Sequence, residues 1–216
     1  QGADGIAGAT HSLVDLNRAC TPLIEIVSEP DIRSAKEARA YAETLHAIVQ
    51  HMGVCDGNLE EGSFRIDANV SIMPKGSTTF GTRAEVKNLN SFRSLETAIN
   101  VEVARQIKVV ESGGTVIQET RNFDDNTQTT TSLRGKEDAH DYRYFPEPDL
   151  QPLCISTEDI TTIKSTLPLL PSQKIEQYKT NYNLTDFECN VLIKDIDMDN
   201  FFRECFSQIK ESNVNT

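Results

Sequence analysis

Leu59-Glu60-Glu61-Gly62-Ser63-Phe64-Arg65-Ile66-Asp67-Ala68-Asn69-Val70-Ser71-Ile72 is the stretch whose reading decides the fold. From Phe64 onward it alternates strictly. A strand here puts Phe64, Ile66, Ala68, Val70 and Ile72 on one face and Arg65, Asp67, Asn69 and Ser71 on the other. After the turn-prone Pro74-Lys75-Gly76-Ser77, the segment Thr82-Arg83-Ala84-Glu85-Val86-Lys87-Asn88 alternates again, with Ala84 and Val86 opposed to Arg83, Glu85 and Lys87. Paired as a hairpin, the two strands give a sheet face that holds charges of both signs. A solvated face of an antiparallel sheet also explains the alternation. What argues for a site is the mixture, because a guanidinium, an ammonium, carboxylates and amides converging suit a polar, charged substrate. On alternation alone the solvated face stays open. Arg65, Asp67, Asn69, Glu85, Lys87 and Asn88 are the candidate pocket residues.

The chain of 216 residues is long enough to bury a proper core, as one large or two smaller domains. With 38% hydrophobic and 25% charged residues it belongs with globular chains, not disordered ones. Its formal net charge of -12 argues against the whole surface acting as an electrostatic nucleic-acid binder. An RNA partner has to be held locally or by other chains. The five cysteines, Cys20, Cys55, Cys154, Cys189 and Cys205, form no CxxC pair, and such a dispersed odd set suits a reducing compartment. The expected location is cytoplasmic, with a mitochondrion or plastid as the alternative. No apolar run approaches the roughly 18 residues needed to span a bilayer, and no secretory signal opens the chain. The opening Gln1-Gly2-Ala3-Asp4-Gly5 reads as the middle of a loop, so a fragment of a longer protein is expected.

Residues 1–12 read as a loop with an exposed His11. Pro22 then introduces Leu23-Ile24-Glu25-Ile26-Val27, which reads as a buried strand with a carboxylate in its middle. Buried, Glu25 has to be neutralised, paired or pointed into a polar cavity. The alternative is a wet strand face carrying Glu25 and Glu29; a magnesium ion is a third way to satisfy such carboxylates.

Ser34 caps a helix with Ala38, Tyr41, Ala42, Leu45, Ile48, Val49 and Met52 as its apolar stripe and Gly53 as its end, leaving His46 and His51 at the surface. A second helix opens at Asn88-Leu89-Asn90-Ser91, buries Phe92, Leu95, Ile99, Val103, Ile107 and Val110, and stops at Gly113-Gly114. Its N-terminus beside Lys87 is a candidate anion seat, although a strand followed by a capped helix is commonplace.

Val116 to Phe123 and Thr129 to Arg134 read as two further strands. Tyr142, Arg143 and Tyr144 either stack on a base or plug a sheet edge. From about Thr157 the texture changes. Ser172 to Tyr182 and Thr185 to Ile193 suit short helices, and Phe201, Phe202 and Phe206 add an apolar stripe.

Six runs follow one another along the chain: Ser12-Leu13-Val14-Asp15-Leu16-Asn17-Arg18, Pro22 through Asp31, Glu60-Glu61-Gly62-Ser63, Asp67 through Ser71, Lys87 through Phe92 and His140 through Pro146. With these motifs in this order the chain resembles the B subunits of the aspartyl/glutamyl-tRNA amidotransferases, which make Gln-tRNA and Asn-tRNA from mischarged precursors. The resemblance implies an α+β fold, an antiparallel or mixed sheet flanked by helices in a cradle-type catalytic domain, followed by the start of an all-α domain. Residues 1–156 are the expected C-terminal part of the catalytic domain and 157–216 the beginning of the helical one.

The implied reaction is ATP-dependent phosphorylation of the misacylated tRNA's side-chain carboxylate, then amidation by ammonia from a glutaminase A subunit, with a C subunit in the complex. ATP and Mg2+ are the implied cofactors, and no membrane is involved. By the same resemblance Glu25 matches a magnesium ligand, and Asp67 matches a residue where the ammonia channel meets the catalytic pocket. The remaining Glu/His ligands, an acidic motif before Gln1 and the tRNA-binding tail fall outside this chain, so the chain alone is expected to be inactive. Cys20 stands where the family usually has Gly, and Met73 where Arg is common. The competing readings are a non-catalytic scaffold and an RNA-binding module of the same complex.

Overall fold

The structure, a computed structural model, describes residues 16–17, 21–135, 149 and 151–214, with side chains in that span except at 134–135 and 210–214. Two compact units divide between Ile32 and Arg33. His11, Cys20 and the Tyr142-Arg143-Tyr144 cluster lie outside the described residues.

In the first unit the expected buried strand does not form. Leu23, Ile24, Ile26 and Val27 have no regular structure and stand exposed. A β-branched run becomes a strand only when another strand satisfies its backbone N–H and C=O groups, and every strand of the sheet belongs to the second unit.

The second unit begins with helix α1, Ala35–His51. The Ser34 side chain accepts from Glu37 N at 3.2 Å, and the Glu37 carboxylate accepts from Arg33 N at 2.6 Å, which satisfies two donors at the helix start. Gly53, at φ 69°, ends the helix in the left-handed conformation that costs glycine least. Strands β1, Ala68–Val70, and β2, Ala84–Lys87, follow, then helix α2, Phe92–Glu111, and strands β3, Glu119–Asp124, and β4, Thr129–Gly135. The sheet order is β1-β2-β3-β4. The β1–β2 and β3–β4 pairs are antiparallel, whereas β2–β3 is parallel. A parallel pair needs a long crossover, and α2 is that crossover.

The core lies on one face of this sheet, where Ala68, Val70, Val86 and Phe123 meet Ala42 of α1 and Leu95 and Ala98 of α2. The hairpin expectation holds, in the register Ala68↔Val86, Asn69↔Glu85 and Val70↔Ala84. The first strand is shorter than its alternation suggests, three residues where the pattern runs from Phe64 to Ile72.

The expected α2 stripe holds at Leu95, which is buried, and at Phe92, Ile99 and Val103, which pack against the core, but not at its C-terminal end. Glu102 and Gln106 are fully buried, while Ile107 and Val110 are exposed. Burial of Glu102 is offset by Arg105, whose Nε and Nη2 reach it at 2.9 and 2.7 Å, by Gln106 Nε2 at 2.8 Å and by Arg121 Nε of β3 at 3.4 Å.

Helices α3, Thr157–Thr166, α4, Pro171–Tyr182, α5, Asp186–Lys194, and α6, Ile196–Val214, complete the described chain. Helix α3 buries none of its side chains. The other three share a core of Tyr178, Cys189 and Ile193, against which Tyr182 and Phe202 pack. The α6 stripe is only partly realised: Phe202 and Phe206 meet the Tyr182 ring at 5.4 and 4.2 Å, while Phe201 is exposed.

Both histidines of α1 are more engaged than their off-stripe positions suggest. His46 meets the Phe64 and Phe92 rings edge-on and hydrogen-bonds Gly57 O at 2.8 Å. A Cβ at Gly57, φ 73°, would collide with its Nε2. His51 is buried, with Nε2 2.9 Å from Ile193 O of α5 and Nδ1 2.9 Å from Lys174 Nζ of α4.

Candidate functional site

Because side chains alternate across a strand, the registers decide which residues share the face opposite the core. Asn69 stands opposite Glu85, and Asp67, just before β1, meets Lys87 through its side chain. The parallel register Glu85↔Thr120 and Lys87↔Asn122 adds Thr120 and Asn122 of β3 to the same face. Asp67, Asn69, Glu85, Lys87, Thr120 and Asn122 thus form a polar strip across three strands.

Lys87 is its centre. Its Nζ lies 2.5 Å from Asp67 Oδ2 and 3.2 Å from Glu85 Oε1. The second Glu85 oxygen, Oε2, accepts from Thr120 Oγ1 at 2.9 Å. Burial, the largest single influence on Lys87, pulls its pKa down. The hydrogen bonds and charges of Asp67 and then Glu85 outweigh it and hold the ammonium above its ordinary 10.5. Asp67 keeps 47% of its side chain exposed against 17% for Glu85, so the accessible negative charge of the trio is on Asp67. Two carboxylates around one ammonium leave a formal charge of about -1, a balance that favours N–H donors over bare anions.

The other expected pocket residues are placed less tightly. Arg65 precedes β1 and is exposed, as is Asn69. Asn88 sits at φ 67°, and its Nδ2 donates to Phe123 O at 3.1 Å, so part of its amide holds β3 in place. Glu25 is exposed in the first unit. The expected anion seat at the start of α2 is engaged by the chain itself. Ser91 Oγ caps Ser94 N at 2.9 Å, and Ser94 Oγ donates to Asp125 Oδ2 at 2.5 Å. Sequence reasoning placed Thr120 in a strand without connecting it to the site, since no local pattern encodes the parallel register that sets it beside Glu85. Among the described residues no three His, Cys, Asp or Glu side chains come together to hold a metal, and no helix is long and apolar enough to cross a membrane.

The GatB/GatE catalytic domain family model matches residues 3–161. Among curated proteins, the chain is 58% identical over 194 residues to the B subunit of the aspartyl/glutamyl-tRNA(Asn/Gln) amidotransferase of Geobacter sulfurreducens, covering 90% of this chain and 40% of that protein. It is 56% identical over 191 residues to the protein of the same name in Pseudomonas putida, covering 88% and 40%. With that of Trichlorobacter lovleyi it shares 56% over 192 residues, covering 89% and 40%. The chain therefore spans about two-fifths of the length of the curated relatives it matches. By the extent of the family match, the chain belongs to the GatB/GatE catalytic domain family.

Proposed function

We propose that this chain is the central part of a tRNA amidotransferase B subunit, working with a glutaminase A subunit, a C subunit and misacylated tRNA. Residues 1–156 are the C-terminal part of the cradle-type catalytic domain and residues 157–216 open a helical domain. The observation that carries the reading is the Asp67–Lys87–Glu85 trio on the open sheet face of a chain in this family.

In the proposed reaction the γ-carboxylate of Glu-tRNA(Gln), or the β-carboxylate of Asp-tRNA(Asn), takes the terminal phosphoryl group of ATP. Ammonia then attacks the acyl carbon, and the bond from that carbon to the bridging oxygen breaks. Phosphate leaves with that oxygen and the electron pair, while the nitrogen gives up one proton to the departing phosphate. Asp67 accepts an N–H of the incoming ammonia and orients its lone pair, a role that fits its exposed charge. Lys87 has three N–H donors, of which two serve carboxylates, so one serves the acyl oxygen as negative charge develops there. Glu85 holds Lys87, while Arg65, Asn69 and Asn88 contribute polar contacts around the trio.

Magnesium, when bound, offsets the charge of the ATP phosphates. The described residues do not by themselves complete such a site, and Glu25 is this chain's proposed contribution to it. The free cysteines Cys55, Cys154, Cys189 and Cys205 suit the cytoplasm as the working compartment.

The test uses Glu25→Gln in the full-length protein assembled with its partners. Phosphorylation of the misacylated tRNA, followed as ADP formation, should be lost while glutamine hydrolysis by the partner continues. Normal phosphorylation refutes the metal assignment. Full amidation by both Glu25→Gln and Asp67→Asn favours a non-catalytic scaffold.

A further inference from the structure

One contact path runs along the polar face from Asp67, just before β1, through β2 to β3. It runs from Asp67 Oδ2 to Lys87 Nζ at 2.5 Å, from Lys87 Nζ to Glu85 Oε1 at 3.2 Å, and from Glu85 Oε2 to Thr120 Oγ1 at 2.9 Å. Its far end is Thr120, 1% exposed. Asp67 lies just before β1, an edge strand of three residues, and gains little rigidity from the ladder. Lys and Glu side chains are long and rotatable, so an ammonium held between Glu85 and Asp67 samples more geometries the less its partners are fixed. A hydroxyl from the neighbouring strand, placed by the parallel register Glu85↔Thr120, pins the second oxygen of Glu85 and removes that freedom.

We propose that Thr120 is a positioning residue, which fixes Glu85 so that Lys87 holds the Asp67 carboxylate in the orientation that receives ammonia. Thr120 does not touch the reacting atoms. Its effect is confined to the amidation half-reaction, because the trio acts on ammonia and on the acyl oxygen it attacks beside, and not on ATP. The inference rests on the amidotransferase reading and deepens it by naming the residue that sets the geometry of the Lys87–Asp67 pair.

The experiment uses the full-length protein in its complex with misacylated tRNA and ATP, with ammonium chloride replacing glutamine as nitrogen donor. Thr120→Val keeps the shape and removes the hydroxyl. It should raise the KM for ammonium about tenfold, while ADP formation without ammonium stays within about twofold of the unsubstituted enzyme. That second rate also reports that the variant is folded. Thr120→Ser restores the hydroxyl and should bring the ammonium KM back to within about threefold. An unchanged KM in Thr120→Val overturns the proposal, as does equal impairment of Val and Ser variants in both steps, which marks a packing role. Asp67→Asn separates the two levels. If it impairs ammonium use and Thr120→Val does not, only the positioning role falls; if Asp67→Asn leaves amidation unchanged, the amidotransferase assignment of the trio falls and the positioning role with it.

Discussion

Glu102 illustrates what a single residue contributes. Burial, the largest influence on it, pushes its pKa up, yet hydrogen bonds from Arg105 and Gln106 and the charges of Arg105 and Arg121 hold the carboxyl below its ordinary 4.5. Glu119 is likewise held down, by Ser132 and Arg121 against its own burial. A folded-state pKa below the unfolded value contributes stability that is fully present above about pH 4.5 and is lost as pH falls through the folded value. Glu102→Gln leaves Arg105 and Arg121 with Glu119 as the one buried carboxylate they still share, and it is expected to cost about 3 kcal/mol at neutral pH. Urea unfolding measures that loss. The same titration repeated below pH 4.5 should show a flatter pH dependence in the variant than in the parent, and equal slopes contradict the assignment. None of this was legible in the sequence, because a stripe drawn through apolar positions excludes Glu102 and Gln106 by construction. The arginines that neutralise Glu102 come from its own helix and from β3, and only tertiary structure brings the second one near.

At the scale of elements, what local chemistry encodes was readable. The Ser34 and Ser91 caps, the Gly53 and Gly113 stops and the α4 and α5 spans follow from short-range signals. Helix α3 has such a signal too, the capping box between Ser156 and Asp159, and it passed unread. Strands were less legible, because pairing partners are distant in sequence. Thus Leu23 to Val27 forms no strand, and Phe64 to Ile72 pairs only at its centre.

The junction of α1 with α4–α6 was invisible for the same reason. Lys174 Nζ of α4 sits 2.6 Å from Asp199 Oδ2 of α6 and 2.9 Å from His51 Nδ1 of α1, all buried. Tyr178 donates its hydroxyl to the other Asp199 oxygen, and burial first, then that carboxylate, push the phenol above its ordinary 10.0. Lys174→Met leaves Asp199 buried without its ammonium, with an expected cost of about 3–5 kcal/mol. Hydrogen exchange should then quicken across α4 to α6 while the sheet keeps its protection. Uniform loss of protection in both places contradicts a local junction.

For the whole molecule, the open sheet face is the organising feature. Two hydrophobic clusters account for its frame, one between the sheet, α1 and α2, the other among α4 to α6. The face opposite the first cluster retains ion-paired groups exposed to solvent, where an apolar or simply hydrated surface would suffice for stability. Alternation alone made Asp67 and Lys87 no more than a wet sheet face, and motif order gave them a family. Their contact with each other, and the Thr120 hydroxyl behind Glu85, belong to the folded chain.

The most direct measurement follows both half-reactions of the full-length complex carrying Asp67→Asn. ADP formation from ATP and misacylated tRNA should remain within about threefold of the parent, while amidated tRNA falls by about 100-fold or more, because a neutral amide cannot offer the charge that Asp67 does. Amidation at the parental rate would contradict the account.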